Sequence, residues 1–255
     1  MAPLVEPLRP VHTSNGLLRA IPAHELSHVL SISERVQLIP HQILHECLVP
    51  MDYVYFVESG LVSVAAKVSQ ERFVEVWLIG SEGLAGAPVV LGAGTEPLHR
   101  RTVQVGGQAL RVRTREFREA MEALPAFRRV LYAYLNVVLS QTSQSGACNA
   151  AHSMRDRLAR WLLFARSRLN ADDIPLTHGV LAQLLGVRRA SVTECLEQFE
   201  EQGLINSKRG QITICNSDGL RGICCDCFRL IDREYVNSSL GAHNDVWYAS
   251  VQNTG

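Results

Sequence analysis

Hydrophobic and polar positions change their spacing along the chain, and the change predicts two kinds of structure. In the first half, apolar positions come in short β-branched or aromatic runs with glycines between them, which is typical of antiparallel strands. The runs are Tyr53–Gly60, Leu61–Ala66, Phe73–Ile79 and Thr102–Val112, the last with a turn at Gly106 and Gly107. Several short strands at close spacing predict a β-sandwich or barrel.

From Thr114 the spacing becomes helical. Thr114 has the type and position of a helix N-cap, and Pro125 ends this helix and begins a longer one. A short helix is also expected after Pro22, ahead of the strands. In the long helix, seven residues are separated alternately by four and three positions, which is the spacing of a coiled-coil seam. They are Phe127, Leu131, Tyr134, Val138, Gln141, Ser145 and Cys148.

The seam predicts that the long helix pairs with a second copy of itself. The alternative is that it packs only against the strand domain of its own chain. Val130, Leu135 and Val137 lie off the seam and have the apolar character for that contact. Because the two faces can serve different partners, we expect a homodimer.

The remainder is helical with one small hairpin, in which Leu204-Ile205 pairs with Gln211–Ile214 around a turn at Lys208-Arg209-Gly210. A single last helix is expected over Ser217–Tyr235. Residues 1–20 hold three prolines and no hydrophobic period, so we expect a flexible arm there. Residues 237–255 are rich in small polar types and are expected to form a flexible tail.

Charge and composition narrow the class of protein. The 255 residues include 25 Lys and Arg and 25 Asp and Glu, so the formal net charge is zero. This excludes a uniformly basic coat for nucleic acid but not a local basic patch, since a polyanion responds to the local field. No apolar run approaches the roughly 18 residues of a membrane span, and the start does not read as a signal peptide. We therefore expect a cytoplasmic protein without a membrane partner.

The most informative segment contains Ala182, Gly186 and Val192, which have the spacing of a helix-turn-helix. The small residue allows close helix approach, the glycine forms the turn, and the branched residue anchors the second helix. That helix would begin near Arg188 and present its N-terminal residues to the major groove, where Arg pairs with guanine and Glu with cytosine. The candidate DNA-binding residues are Thr177, Arg188, Arg189, Ala190, Ser191, Thr193, Glu194, and, at the hairpin turn, Lys208 and Arg209.

Two other interpretations of this segment remain open. One is a pair of packed helices in a structural bundle. The other is a protein-binding scaffold with a degenerate helix-turn-helix, which the acidic residues Glu194, Glu197, Glu200 and Glu201 would suit. Between residues 150 and 215, nine basic residues outnumber seven acidic ones only by two. A DNA-binding domain of this kind should therefore make few phosphate contacts and show a modest salt dependence.

The order of these parts resembles the Crp/Fnr superfamily of bacterial transcription regulators. The resemblance covers residues 20–236 and rests on the Tyr53–Gly60 motif, a glycine-rich turn near 80–86, the long helix and the helix-turn-helix. It implies an α+β fold with a cyclic-nucleotide-binding-like β-roll over 21–124, a dimerisation helix over 125–149 and a winged helix-turn-helix DNA-binding domain over 150–236. It also implies a homodimer on a two-fold symmetric operator, with RNA polymerase as a further partner.

The same resemblance implies where an effector would bind. The corresponding residues are Gly86, Ala87, Arg101, Thr102, Thr142 and Ser143. Members that bind cyclic nucleotides hold the ribose with a glutamate, but here Ala87 stands at that position. Arg101 corresponds to the arginine that pairs with the cyclic phosphate, although it could also be a surface strand residue. We expect no cAMP dependence and a pocket that is empty or reshaped for another small ligand.

Cysteines and histidines add no clear cofactor site. Seven scattered cysteines without an export signal indicate reduced thiols. Oxygen-sensing relatives hold an iron–sulfur cluster on N-terminal cysteines, but only Cys47 precedes Cys148 here. Cys224, Cys225 and Cys227 lack a clear second pair of ligands for zinc, and on one helix they would pack in the core. We expect no metal and no cofactor; a redox- or metal-responsive regulator that uses these three cysteines is the alternative.

No catalytic triad, paired carboxylates or phosphate-binding loop stands out in the sequence. We therefore do not expect an enzyme.

Overall fold

The computed structural model describes residues 12–70, 72–92 and 96–238. The first half is a β-roll of two four-stranded antiparallel sheets. Its strands are β1 (Ser33–Leu38), β2 (Ile43–His45), β3 (Tyr53–Val57), β4 (Leu61–Lys67), β5 (Phe73–Ile79), β6 (Leu84–Ala85), β7 (His99–Val105) and β8 (Gly107–Arg113). One sheet has the order β1-β8-β3-β6 and the other β2-β7-β4-β5. The predicted strands are confirmed as β3, β4, β5, β7 and β8, and β1, β2 and β6 are additions to them.

Helices surround the β-roll and continue from it. They are α1 (Gly16–Arg19), α2 (Ala23–Ser31), α3 (Ala87–Val90), α4 (Thr114–Ala123) and the 27-residue α5 (Pro125–Ala151). Glu25 of α2 accepts hydrogen bonds from the backbone N–H groups of Ala126 and Phe127 at 3.1 and 2.6 Å. A carboxylate at this position satisfies free N–H groups and complements the helix dipole. The start of α5 is thereby held against α2.

The C-terminal domain contains the predicted helices and hairpin. Its elements are α6 (Met154–Leu169), β9 (Asp173–Ile174), α7 (His178–Leu185), α8 (Arg189–Glu201), β10 (Ile205–Lys208), β11 (Gln211–Ile214), α9 (Ser217–Gly222) and α10 (Cys227–Asn237). The strands form a sheet in the order β10-β11-β9. A capping box of Ser153 and Asp156 begins α6. The predicted α+β fold, with a β-roll, a long helix and a C-terminal winged domain, is confirmed. Within the described ranges, no helix is long and apolar enough to span a bilayer.

The prediction of a flexible arm over residues 1–20 is wrong for the part that the structure describes. Leu17 and Leu18 of α1 are buried in the core. Asn15 caps α1, and its Nδ2 donates to the carbonyls of Val57 and Gly83 at 2.8 Å in each case. Burial of two leucines and an amide satisfied on both sides keep this segment on the β-roll. Residues 1–11 lie outside the described residues.

The single helix predicted over Ser217–Tyr235 is two helices. The first, α9, ends at Gly222, a residue type that weakens helices, and α10 begins only at Cys227. The cysteine-rich segment therefore forms the connection between them, and Cys224 and Cys227 do not share a helical face. The predicted tail begins at the end of α10, and its residues 239–255 lie outside the described part.

The seam predicted as a dimer interface is also wrong, because it faces the chain's own core. All seven side chains are buried within one chain: Phe127, Leu131, Tyr134, Val138, Gln141, Ser145 and Cys148. Tyr134 packs so closely on Gly83 that a Cβ there would lie 2.5 Å from its hydroxyl. The β-roll and the C-terminal domain both lie along this face of α5. Heptad spacing correctly indicated a buried stripe but not which partner buries it.

Arg168 of α6 joins the two domains and the long helix. It is buried, and its Nε lies 3.1 Å from the carbonyl of Leu78 and 3.2 Å from Glu82 Oε1. Its Nη2 donates to Gln141 of α5 at 3.2 Å. The guanidinium also lies 5.0 Å from the ring centre of Tyr235 in α10. One buried cation thus contacts four separate parts of the fold.

We expect Arg168→Leu to lower the free energy of unfolding by about 3–5 kcal/mol, because it leaves a largely buried carboxylate and an amide without their partner. Urea unfolding followed by circular dichroism measures this. The control is Arg115→Leu, which removes the exposed pair with Glu119 and should cost less than about 1 kcal/mol. Equal effects of the two variants would show that Arg168 does not join the domains energetically.

Candidate nucleic-acid interface and sensor cavity

The helix-turn-helix has the geometry that its sequence predicts. The first helix, α7, begins at Thr177, whose side chain accepts a hydrogen bond from the N–H of Val180, and ends at Gly186. Gly186 has a φ of +69°, a left-handed conformation that favours glycine. Ala182 of α7 and Val192 of α8 are both buried between the helices and their neighbours. The three residues that defined the motif therefore occupy their expected places.

Positive charge lies at the start of α8 and at the tip of the β10–β11 hairpin. Arg188, Arg189, Lys208 and Arg209 are exposed, and within the described residues none of them has a carboxylate within 4 Å. Ala190 and Glu194 are exposed on the same helix, and Ser191 is half-buried. The arginines and lysine are available to an anionic partner.

His178 connects the two helices and the hairpin, and sequence reasoning missed it. Its Nδ1 lies 3.0 Å from Thr193 Oγ1 of α8, and its Nε2 lies 2.9 Å from Ser207 Oγ of β10. The Thr193 hydroxyl, a predicted DNA contact, therefore already has a partner inside the domain. The only sequence signal for His178 is its place directly after the N-cap of α7. Its contacts link α7 to both α8 and the hairpin.

The basic residues of α6 face the protein. Arg160 and Arg168 are buried, and Arg160 Nη1 donates to Ser145 Oγ at 3.0 Å. Arg155 donates to Gln202 Oε1 at 3.0 Å, and Arg157 donates to the carbonyl of Leu185 at 2.9 Å. These arginines are among the basic residues that give the segment 150–215 its small excess of positive charge. The basic surface open to DNA is thus narrower than that count indicates.

A cavity of about 420 Å³ lies between β5, α3, β7 and α5. Of the six predicted effector residues, Ala87, Arg101 and Thr142 line it. Gly86 instead precedes α3, with a φ of +141°, and Ser143 is exposed. Leu91, Leu135 and Leu139 contribute apolar walls, and no acidic side chain from the described residues lines it. The wall at Ala87 therefore supplies no carboxylate for a ribose hydroxyl.

Two buried donors at the cavity lack partners. Arg101 is 1% exposed, so the interpretation of Arg101 as a surface residue is wrong. Its Nη1 donates to the carbonyl of His99 at 2.7 Å, but its Nε has no partner, and neither has the indole Nε1 of Trp77. Burial lowers the pKa of Arg101 to about 10, which leaves it charged at neutral pH. Unpaired buried donors are uncommon, and these two belong to residues that line the cavity.

Comparison with known proteins agrees with this geometry. A family model described as a Crp-like helix-turn-helix domain matches residues 156–223. Among solved structures, FixK2 from Bradyrhizobium japonicum is 18% identical, with a TM-score of 0.66 over 76% of this chain and 98% of that one. A putative transcriptional regulator of the crp/fnr family from Eubacterium rectale is 16% identical, with a TM-score of 0.61 over 81% and 96%. Residues 156–223 therefore match a Crp-like helix-turn-helix domain, and the chain as a whole shares the fold of these Crp/Fnr-type structures.

A third solved structure has the same fold. It is the c-di-GMP responsive global regulator CLP from Xanthomonas campestris, which is 18% identical, with a TM-score of 0.61 over 76% of this chain and 99% of that one. A sequence search among curated proteins found no match. At these identities the solved structures establish the fold of the chain, while the family model identifies the helix-turn-helix domain over residues 156–223.

The β-roll contacts the helix-turn-helix directly. Arg72, next to β5, donates to the carbonyl of Gly186 at 2.6 Å. Within β5, Glu75 Oε1 accepts from the indole N–H of Trp161 in α6 at 2.7 Å. Trp77 on the same strand lines the cavity. One strand therefore connects the cavity with the DNA-binding domain.

Burial raises the pKa of Glu75 to about 7, against the opposing effects of its hydrogen bond from Trp161 and of the charge on Arg160. Its Oε2 is buried without a partner, which fits a carboxyl that is protonated in the folded protein. In the unfolded chain this group titrates near 4.5. The folded protein therefore binds more protons than the unfolded chain between pH 4.5 and 7, and its stability falls as pH rises through that window.

We expect Glu75→Gln to remove this part of the pH dependence. Relative to the unaltered protein, the variant should gain about 3 kcal/mol in unfolding free energy between pH 4.5 and pH 8. Urea unfolding at both pH values measures it, and Glu122→Gln, at an exposed position, is the matched control. A stability difference that stays constant with pH would mean that Glu75 is ionised throughout.

Proposed function

We propose that this regulator binds a two-fold symmetric DNA operator as a homodimer in the cytoplasm. The observation that carries the proposal is a Crp-like helix-turn-helix with exposed, unpaired arginines at the start of α8 and basic residues at the hairpin tip. Such a helix enters the major groove by its N-terminal end, and a dimer reads half-sites about one helical turn apart. Binding of RNA polymerase is part of the proposal as the family implies it.

Roles for individual residues follow from their surroundings. Arg189 is exposed in the first turn of α8 and would pair with a base, with Ser191 beside it. Thr193, held by His178, acts as a positioning residue rather than as a base contact. Lys208 and Arg209 would contact phosphate from the wing.

The outer face of α5 is the dimer surface that we propose in place of the buried seam. Tyr132 and Leu139 are 50% and 65% exposed. They belong to a second series with separations of three and four residues, which is the spacing of a helix pair. The series is Tyr132, Leu135, Leu139, Thr142, Gly146 and Asn149. A second copy is the occupant that this spacing fits, since an identical helix presents the same repeat.

For the effector, we propose an anionic small molecule with an apolar body, distinct from cAMP. The support is the buried cation of Arg101 and the free Trp77 indole in a cavity with leucine walls. The ribose acceptor that cAMP would use is replaced by Ala87. The Xanthomonas regulator is described as responsive to c-di-GMP, so that dinucleotide is a second probe for this cavity.

DNA binding is tested by selecting sites from random DNA and then titrating the best site in a gel-shift series. Arg189→Ala should weaken binding to this site by about 5- to 150-fold and relax the preference at one base pair of each half-site. Lys208→Ala should weaken all sequences alike and reduce the salt slope by about one per lost phosphate contact. Arg115→Ala, on the β-roll side, is the control and should change neither.

An unchanged base preference in Arg189→Ala would contradict the proposed register of α8. The same titration with cAMP should give an unchanged affinity, and a rise of more than tenfold would contradict cAMP independence. Addition of c-di-GMP is a parallel arm.

The dimer surface is tested by Leu139→Glu, which places a charge in the centre of the proposed helix pair. Sedimentation velocity should show a dimer for the unaltered chain and a monomer for this variant. The control is Leu98→Glu, because Leu98 is similarly exposed at 69% but belongs to the segment before β7 rather than to α5. Dimers that persist in Leu139→Glu would remove this face from the interface.

A further inference from the structure

Four metal-ligating side chains meet where α5 ends. Cys148 and His152 come from the last turn and C-cap of α5, Cys225 from the connection after α9, and Cys227 from the first residue of α10. Their ligand atoms all lie within 4.8 Å of one another. Cys148 Sγ is 3.5 Å from Cys225 Sγ, and Cys227 Sγ is 3.6 Å from His152 Nδ1. Three sulfurs and one imidazole nitrogen thus converge on one point.

The composition and spacing of this set match a structural zinc site. Zinc in such sites has four tetrahedral ligands, and Cys3His is one of the common sets. With a Zn–S distance of about 2.3 Å, tetrahedral ligand atoms are about 3.5–3.8 Å apart, and both closest distances here are of that size. Cys148 and His152 are four residues apart on a helix, so they project from the same side.

We propose that Cys148, His152, Cys225 and Cys227 bind one zinc ion in each chain. No complete site is apparent in the sequence, because the two pairs of ligands lie about 75 residues apart. The structure supplies the second pair whose absence argued against a metal. Cys224, which was grouped with Cys225 and Cys227, is not one of the four ligands.

The surroundings suit a bound cation with thiolate ligands. Gln144 Nε2 donates to Cys227 Sγ at 3.1 Å, the kind of outer hydrogen bond that orients and stabilises a ligating thiolate. Cys148 and Cys227 are buried, while His152 is exposed. The buried thiols would shield a bound ion from solvent, and the exposed imidazole side would allow it to enter.

The site would hold α10 against the long helix. At the other end of α10, Tyr235 donates to Gln141 of α5 at 3.0 Å. Zinc would join the beginning of α10 to the end of α5, immediately before α6. The orientation of the C-terminal domain on α5 would then depend on the metal.

A test of this proposal measures metal directly and does not depend on DNA binding. The full chain is reduced, loaded with zinc sulfate, passed through a desalting column and analysed by mass spectrometry for metals. We expect about one zinc per chain, and a loss of tenfold or more in Cys148→Ser, His152→Gln and Cys227→Ser. Cys224→Ser is the matched control, because this neighbouring thiol lies outside the set, and it should retain the zinc.

Two measurements on the unaltered chain keep the test decisive if a variant does not fold. Cobalt substitution should give the visible and near-ultraviolet absorption of a tetrahedral thiolate site. A chelator should lower the thermal unfolding midpoint by about 5–10 °C, and zinc should restore it.

Several outcomes would overturn the proposal. One is that no zinc stays bound after loading and desalting. The others are a cobalt complex without thiolate absorption, iron as the bound metal, or equal zinc loss in Cys224→Ser. A Cys148–Cys225 disulfide in the metal-free protein, with no recovery of zinc binding after reduction, would assign the cluster to thiol chemistry instead. Each outcome leaves the proposed DNA binding to its own experiment.

Discussion

The arrangement of the two domains depends on one buried guanidinium. Arg168 comes from the DNA-binding domain, yet its polar partners are Leu78 and Glu82 of the β-roll and Gln141 of the long helix. A buried charge is costly unless all its polar neighbours are in place. Movement of the β-roll or of α5 away from α6 would leave the buried charge without its polar partners, which is unfavourable. We therefore expect these elements to behave as a single cooperative unit. Apolar packing alone, which is non-directional, would leave the domains free to slide.

This junction places the sensor cavity close to the DNA-binding domain. Trp77, at the cavity, and Glu75, bonded to Trp161, are two positions apart on β5, on either side of an irregularity in its pairing with β4. A ligand that accepts a hydrogen bond from the free indole N–H would contact β5. The same strand is bonded to α6 through Glu75 and Trp161. The hydrogen bond from Arg72, next to β5, to the Gly186 carbonyl links the same strand to the turn of the helix-turn-helix. The strand β5 thus contacts the cavity, α6 and the helix-turn-helix.

Local features of the molecule could be predicted from the sequence, and contacts between distant residues could not. Glycine-separated strands and the Ala182–Gly186–Val192 spacing are properties of short segments, so they identified the β-roll and the helix-turn-helix. Arg168, which bonds a residue 90 positions earlier, has no local signature that separates it from a surface arginine. Cys148 and His152 likewise read as ordinary helix residues until α10 is placed beside them. His178 acquires its role only when α8 and β10 approach it.

The polarity of the long helix shows how one stripe serves two domains. Its inner face begins with Phe127, which packs on the aromatic rings of the β-roll, and later carries Gln141, Ser145 and Cys148. In the sequence alone, this change from apolar to polar residues resembles a coiled-coil seam that weakens along the helix. Each later residue instead meets a polar or sulfur group of the C-terminal domain, so the change marks where one intramolecular partner gives way to the other. Because this face is fully used, a second copy of the chain would pack on the outer face around Leu139, which also forms one wall of the cavity.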